Sequence, residues 1–129
     1  MDGIEPKIHV TDFLYDFSVH GGAVGAVTIQ DKKIPTGALV LGALIEGPET
    51  NIAGGVGATV SLGVKAAGDL HADDAFADIN AGPLWADQVT PFSTAPLETA
   101  SGEGLIVTIG TAALTAGKFN VKVFWVHGG

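Results

Sequence analysis

No cysteine and no arginine occur among the 129 residues. Without thiols there is no disulfide, no thiolate metal site and no cysteine nucleophile, and the redox compartment stays open. The missing arginine says more. All six basic residues are lysines, Lys7, Lys32, Lys33, Lys65, Lys118 and Lys122, and they face 14 carboxylates, which leaves a net charge of −8. Such a surface repels a phosphate backbone, and the side chain best suited to phosphate and guanine recognition is absent. We therefore expect no nucleic-acid partner. No apolar run approaches the ~18 residues a membrane helix needs, so no membrane partner is expected either. Residues 1–6, Met1-Asp2-Gly3-Ile4-Glu5-Pro6, lack the basic start and apolar stretch of a signal peptide and read as a loose N-terminal arm. Aromatics are few: six Phe, two Trp and one Tyr.

What is plentiful is glycine (19 residues) and aliphatic side chain. Apolar residues make up 47% and the mean hydropathy is +0.39, high for a soluble domain. Two readings fit. Part of the surface is covered by a partner, as in an oligomer or assembly. Alternatively, a Gly/Ala-rich sandwich inflates its hydropathy with small residues. The length fits one domain, residues 7–129, large enough for a core without staples.

Period-two alternation dominates. Phe13, Tyr15, Phe17 and Val19 share one face of an extended run and Asp12, Asp16 and Ser18 the other, with Leu14 an exception. His20-Gly21-Gly22 is a turn, Ala23 to Gln30 a second strand, and Asp31-Lys32-Lys33 a polar turn. Pro35 marks a strand start. Ala38 to Ile45 is apolar on both faces, so it lies centrally or its outer face is covered by another chain. Glu46 to Gly57 reads as a long loop. Val60, Leu62 and Val64 then point inward, with Thr59, Ser61 and Gly63 opposite.

The one expected helix lies near 69–78, capped by Asp69 and one or two turns long. Asn80 to Ala100, with Pro83, Pro91 and Pro96, reads as an irregular crossover with extended pieces at Leu84-Trp85 and Leu97-Glu98. Gly104 to Gly110 is a strand with Leu105, Val107 and Ile109 inward, and Thr111 to Gly117 a turn. In the last strand, Lys118 to His127, Phe119, Val121, Val123 and Trp125 alternate against Asn120 and Lys122. No βαβ period appears. The pattern is an all-β antiparallel sandwich, jelly-roll or Greek-key-like, because the crossover from Gly68 to Gly102 is too long for a hairpin.

Chemistry-bearing constellations are weak. His9, His20, His71 and His127 show no metal-ligand spacing. Asp69, Asp73, Asp74 and Asp78 are the best ion-site residues, yet the order of a calcium loop is absent and a solvated acidic helix face explains them. On that reading Asp74→Ala is silent. No G-x-S-x-G places Ser18, Ser61, Ser93 or Ser101 as a nucleophile. Gly54-Gly55-Val56-Gly57 lacks the Lys-Ser/Thr of a phosphate loop and reads as a flexible loop tip. Trp125 alternates into the core; Trp85 is either a core plug or an exposed contact. We expect no enzymatic activity, no cofactor and no metal.

Several stretches carry a resemblance: Asp16-Phe17-Ser18-Val19-His20-Gly21-Gly22-Ala23-Val24-Gly25, Ile34-Pro35-Thr36-Gly37-Ala38-Leu39-Val40, Gly57-Ala58-Thr59-Val60-Ser61-Leu62-Gly63-Val64 and Leu114-Thr115-Ala116-Gly117-Lys118-Phe119-Asn120-Val121. Together the chain resembles small virion proteins of tailed bacteriophages, with Thr36 where that group carries Lys. Such proteins are commonly capsid decoration or cement proteins. The resemblance implies a structural protein on the outer surface of the capsid, made in the host cytoplasm. It implies the major capsid protein and further copies of itself as partners, a homotrimer ahead of a homodimer. The alternative is a tail- or fibre-associated sandwich that binds a host receptor or glycan. Interface residues expected on these grounds are Leu39 and Leu41 on the doubly apolar strand, Gly54 and Gly55 in the loop, and Trp85. Leu41→Asp is expected to abolish folding or oligomerisation.

Overall fold

The computed structural model describes residues 7–89, 96–99 and 103–127. The expected arm 1–6, the 90–95 part of the crossover with Pro91 and Ser93, Ser101 and the final Gly128-Gly129 lie outside them.

Ten strands and two short helices follow in the order β1 (His9–Asp16), α1 (Phe17–His20), β2 (Gly25–Ile34), β3 (Leu39–Ile45), β4 (Thr50–Gly54), β5 (Thr59–Gly63), β6 (His71–Ala75), α2 (Phe76–Asn80), β7 (Leu84–Trp85), β8 (Leu97–Glu98), β9 (Glu103–Gly110) and β10 (Leu114–Val126). The first sheet runs β1-β10-β3-β7, with β4 added to β10 and β8 to β3; the second runs β2-β9-β5-β6. Every pairing is antiparallel. With β4 and β8 set aside, eight strands remain. They lie first, eighth, third, sixth in one sheet and second, seventh, fourth, fifth in the other, which is the jelly-roll order. The all-β sandwich expected from alternation is the observed fold.

The core sits between the sheets. Phe13, Tyr15, Val60, Leu62, Leu105, Val107, Phe119, Val121 and Val123 are all buried there. These are the alternating positions of β1, β5, β9 and β10, so period two alone assigned them.

Four local expectations are corrected. First, β1 stops at Asp16. Its carboxylate accepts hydrogen bonds from the Ser18 amide (3.0 Å) and hydroxyl (2.7 Å) and caps α1. That local cap overrides the strand alternation, and Val19 ends 72% exposed instead of inward. Second, Asp31-Lys32-Lys33 is no turn. It lies within β2, where the register jumps from Ile29↔Leu105 to Ile34↔Glu103, so a wide bulge carries the charges outward and returns Ile34 to the core.

Third, the loop from Glu46 to Gly57 contains β4, which pairs with the first half of β10, so β10 begins at Leu114 and not at Lys118. Ile52 is held by Asn80, whose side chain takes the Ile52 amide and carbonyl, both at 2.8 Å. Fourth, the expected helix near 69–78 is mostly strand. His71 to Ala75 pairs with β5, with only His71 of it buried, and the helix starts only at Phe76, with no side-chain cap. Asp69 caps nothing helical. It accepts from the amides of Val64 (2.9 Å), Lys65 (3.2 Å) and Ala66 (2.8 Å), folding residues 65–69 back over the outside of β5.

One seam of the sandwich is closed by the crossover. The Ala86 amide donates to Ala43 in the first sheet and the Gln88 amide to Leu70 beside the second. Farther along, the Thr99 amide donates to the Ala38 carbonyl, its carbonyl accepts from the Gly37 amide, and its hydroxyl donates to the Pro35 carbonyl (2.6 Å).

Candidate interaction faces

The doubly apolar β3 is central in its sheet, with Val40, Ala43 and Ile45 turned into the core. Its other side chains, Leu39, Leu41 and Leu44, are half-buried and belong to no core contact cluster. Register puts them in one outward array. Leu39 sits opposite Val126, and Leu44 lies between Lys122 and Trp85. Leu41 is the extra residue of a bulge, because the pairing passes from Val40↔Trp125 to Gly42↔Phe124. On the far side of β10, Phe124 pairs with Val10. Val10 is 46% and Trp85 60% exposed, and the Trp85 and Phe124 rings lie 6.0 Å apart. An apolar band thus crosses β1, β10, β3 and β7.

A charged row borders the band. The Lys122 ammonium lies 2.8 Å from Asp12 and 3.9 Å from Glu46. The Asn120 amide donates to both carboxylates, at 2.8 and 2.7 Å. The Lys122 and Asn120 hydrogen bonds hold the Asp12 carboxyl below the usual aspartate range, and the same pairing raises Lys122. Beyond it, Lys118 faces Asp16 across the strands and lies 3.5 Å from Glu49.

The other sheet presents different chemistry outward. Ala26, Thr28, Thr59, Ser61, Gly63 and Thr108 occupy positions between its inward Val, Leu and Ile residues, together with one half-buried aliphatic, Ile106, opposite Thr28 and Gly63. The 65–69 segment covers part of this face. A side chain on Gly63 would strike the Ala66 carbonyl, and Ser61 is only 4% exposed.

The expected interface residues fall into three groups. Leu39 and Leu41 lie on the apolar band, and Trp85 is an exposed contact there instead of a core plug. Gly54 and Gly55 do not form a protruding tip. Both are half-buried, and a side chain would meet Ala113 and Leu114 from Gly54 or Ala112 from Gly55. The tip is Val56, fully exposed. Val10, Leu44, Phe124 and Val126 were missed. Phe124 was legible in principle, since it alternates with inward Trp125, but Phe-Trp-Val reads as one apolar run.

Titratable groups do converge, in two places. His71 is 2% exposed in the second sheet. Its Nδ1 accepts from the Asp87 amide (3.2 Å), which leaves Nε2 as the donor to Asp74 (3.1 Å). Asp74 also raises the Asp78 pKa, through a side-chain hydrogen bond and its like charge. This corrects the solvated-helix reading of Asp74. Both nitrogens of the buried ring are engaged, so it has no free atom to offer a substrate. At the end of β1 and β10, His9 stacks on Trp125 (4.5 Å), with His127 edge-on at 5.0 Å to each ring. Among the described residues no group of three or more His, Asp or Glu is arranged to hold a metal ion. A shallow open depression is lined by Asp16, Phe17, Ser18, Thr50, Gly117 and Lys118. No helix among the described residues is long and apolar enough to cross a membrane.

No family model matches this chain, and no curated protein does. A solved structure does match: a chain described as "Cyanophage Pam1 capsid asymmetric unit", with a TM-score of 0.62 and 20% identity over 98% of this chain and 89% of that one. The likeness is one of fold. It runs through the whole sandwich, both sheets included.

Proposed function

We propose that this chain is a structural virion protein of a bacteriophage. It binds the outer surface of the capsid and bridges neighbouring major capsid proteins, as cement or decoration. The observation that carries the reading is the jelly roll itself, alike over nearly its full length to a chain of a cyanophage capsid unit. The apolar band is the kind of surface such a role requires. A stiff sandwich needs only a weak contact per copy, because many symmetric copies act together. An acidic, arginine-free surface does not compete for a packaged genome. Copies also associate with one another, as a trimer ahead of a dimer. The protein is made in the host cytoplasm and works in the particle, without catalysis.

The alternative, a tail or fibre module for a receptor or glycan, finds less support. Trp85 is exposed, but its neighbours Leu44 and Phe124 are apolar. The nearby polar groups, Asp12, Lys122, Asn120 and Glu46, are spent on each other. Imaging particles of the phage that encodes the chain is the test. Sandwich-shaped density in many copies over the head is the expected result; density confined to the tail would sink the proposal.

A further inference from the structure

We propose that the outer face of the β1-β10-β3-β7 sheet is the surface that meets the shell, and that its counterpart is an apolar patch ringed by basic side chains. The inference rests on the virion reading above and adds to it which face docks and what chemistry it takes.

Three observations converge on this face. Val10, Leu39, Leu41, Leu44, Trp85 and Phe124 form the band, and none of them packs on the core cluster. Phe124 within the band and Trp85 at its β7 edge, 60% exposed, form an aromatic pair of the side-chain type that anchors interfaces. The opposite sheet offers Thr, Ser, Ala and Gly around a single half-buried Ile106, and partly covers itself with residues 65–69.

The identity of the occupant follows from area and charge. Six outward side chains, at about 4.8 Å across strands and about 6.6 Å along them, give a band on the order of 200 Å². A stable two-body interface buries about 800 Å² per partner. The band is therefore too small to hold two free copies together, yet sufficient where many contacts are made at once on a lattice. The rim argues the same way. Acids prevail at its border: Asp12, Asp16, Glu46 and Glu49 along the charged side and Glu98 opposite Leu39, against Lys118 and Lys122, with Lys32 acting on Asp12 from farther off. Two copies face to face would oppose acidic rims, in a chain already at −8. A surface carrying Lys or Arg around an apolar centre complements it. Other surfaces remain for contacts between copies.

The test uses shells of the encoding phage prepared without this protein, to which purified chains are added. Trp85→Glu changes an exposed side chain on the band; Thr28→Glu changes an exposed one on the opposite sheet. Both variants are first checked for an unchanged melting curve. The expected result is at least a tenfold drop in bound copies for Trp85→Glu, none for Thr28→Glu, and weaker wild-type binding as salt is raised. If wild type fails to bind, the virion reading falls and this inference falls with it. If wild type binds and Trp85→Glu binds equally, only the face assignment is overturned. If Trp85→Glu instead lowers the mass of the free protein in sedimentation, the occupant is a second copy and the proposal is wrong. Binding indifferent to salt overturns the basic rim.

Discussion

On the outside of one sheet stand Leu44, Phe124 and Trp85; at corresponding places on the other stand Thr28, Ser61, Gly63 and Thr108. Both faces belong to strands with equally apolar inner sides, so folding alone does not demand the difference. The second face is finished within the chain. Asp69 gathers three amides and lays residues 65–69 across β5. The first face is left bare by everything described. An exposed Trp85 against Phe124, held beside a charged row in which carboxylates outnumber lysines, makes little sense for stability and good sense for contact. On the proposal above, the first face carries function and the second carries fold. Substitutions on the two faces should separate accordingly.

The largest effect is expected where the second face is closed. Gly63→Val would drive a branched side chain into the Ala66 carbonyl, and we expect a loss of about 3 kcal/mol or failure to fold, read by urea unfolding. Asp69→Ala strands the three amides of Val64, Lys65 and Ala66. A loss of about 2 kcal/mol is expected, and faster amide exchange across 64–66 would locate it. A value near zero would mean the cover is dispensable and the contrast between faces is smaller than it looks.

Asp74→Ala, silent on the solvated-helix reading, now removes the acceptor of a buried imidazole. It should cost about 1–2 kcal/mol in the same experiment. On the first face, Leu41→Asp puts a charge on a half-buried bulge residue outside the core. We expect the chain to fold, with a loss of about 1 kcal/mol, and to lose shell binding. If unfolding is complete, the band is structural after all.

Smallest is the ion-paired row. Asp12 titrates below its ordinary range because Lys122 and Asn120 donate to its carboxylate. A depressed folded value stabilises above the unfolded pKa of ~3.9 and loses that contribution as pH falls through the lower folded value. The Asp12 side chain is 40% exposed, so screening leaves only about 0.5 kcal/mol. The stability gap between wild type and Asp12→Asn should be present at neutral pH and vanish in acid. A gap that widens in acid contradicts the pairing.

Much of the fold was legible because alternation is a local signal. Val60, Leu62, Leu105, Val107, Phe119, Val121 and Val123 were assigned inward from period two alone, and all are buried. Three of the failures share a cause. Asp16, Asp69 and Asn80 each bond to backbone that the pattern ignores, and those bonds end β1, fold a loop onto β5 and fasten β4. The band was half legible. Leu39, Leu41 and Trp85 stood out, but Val10 and Phe124 join them only through the β1–β10 register, a pairing between the two ends of the chain.

The sequence by itself determined that this is an antiparallel sandwich, acidic, without thiols, with β3 apolar on both sides. Those properties follow from residue type and period, which neighbours along the chain suffice to specify. Only the tertiary structure decided what lies on the outer side of β3. The bulge at Leu41, the placement of Trp85 beside Leu44 and the pairing of Asp12 with Lys122 each join residues far apart in sequence. Such registers are set by how two sheets close over one core, and no local pattern encodes them.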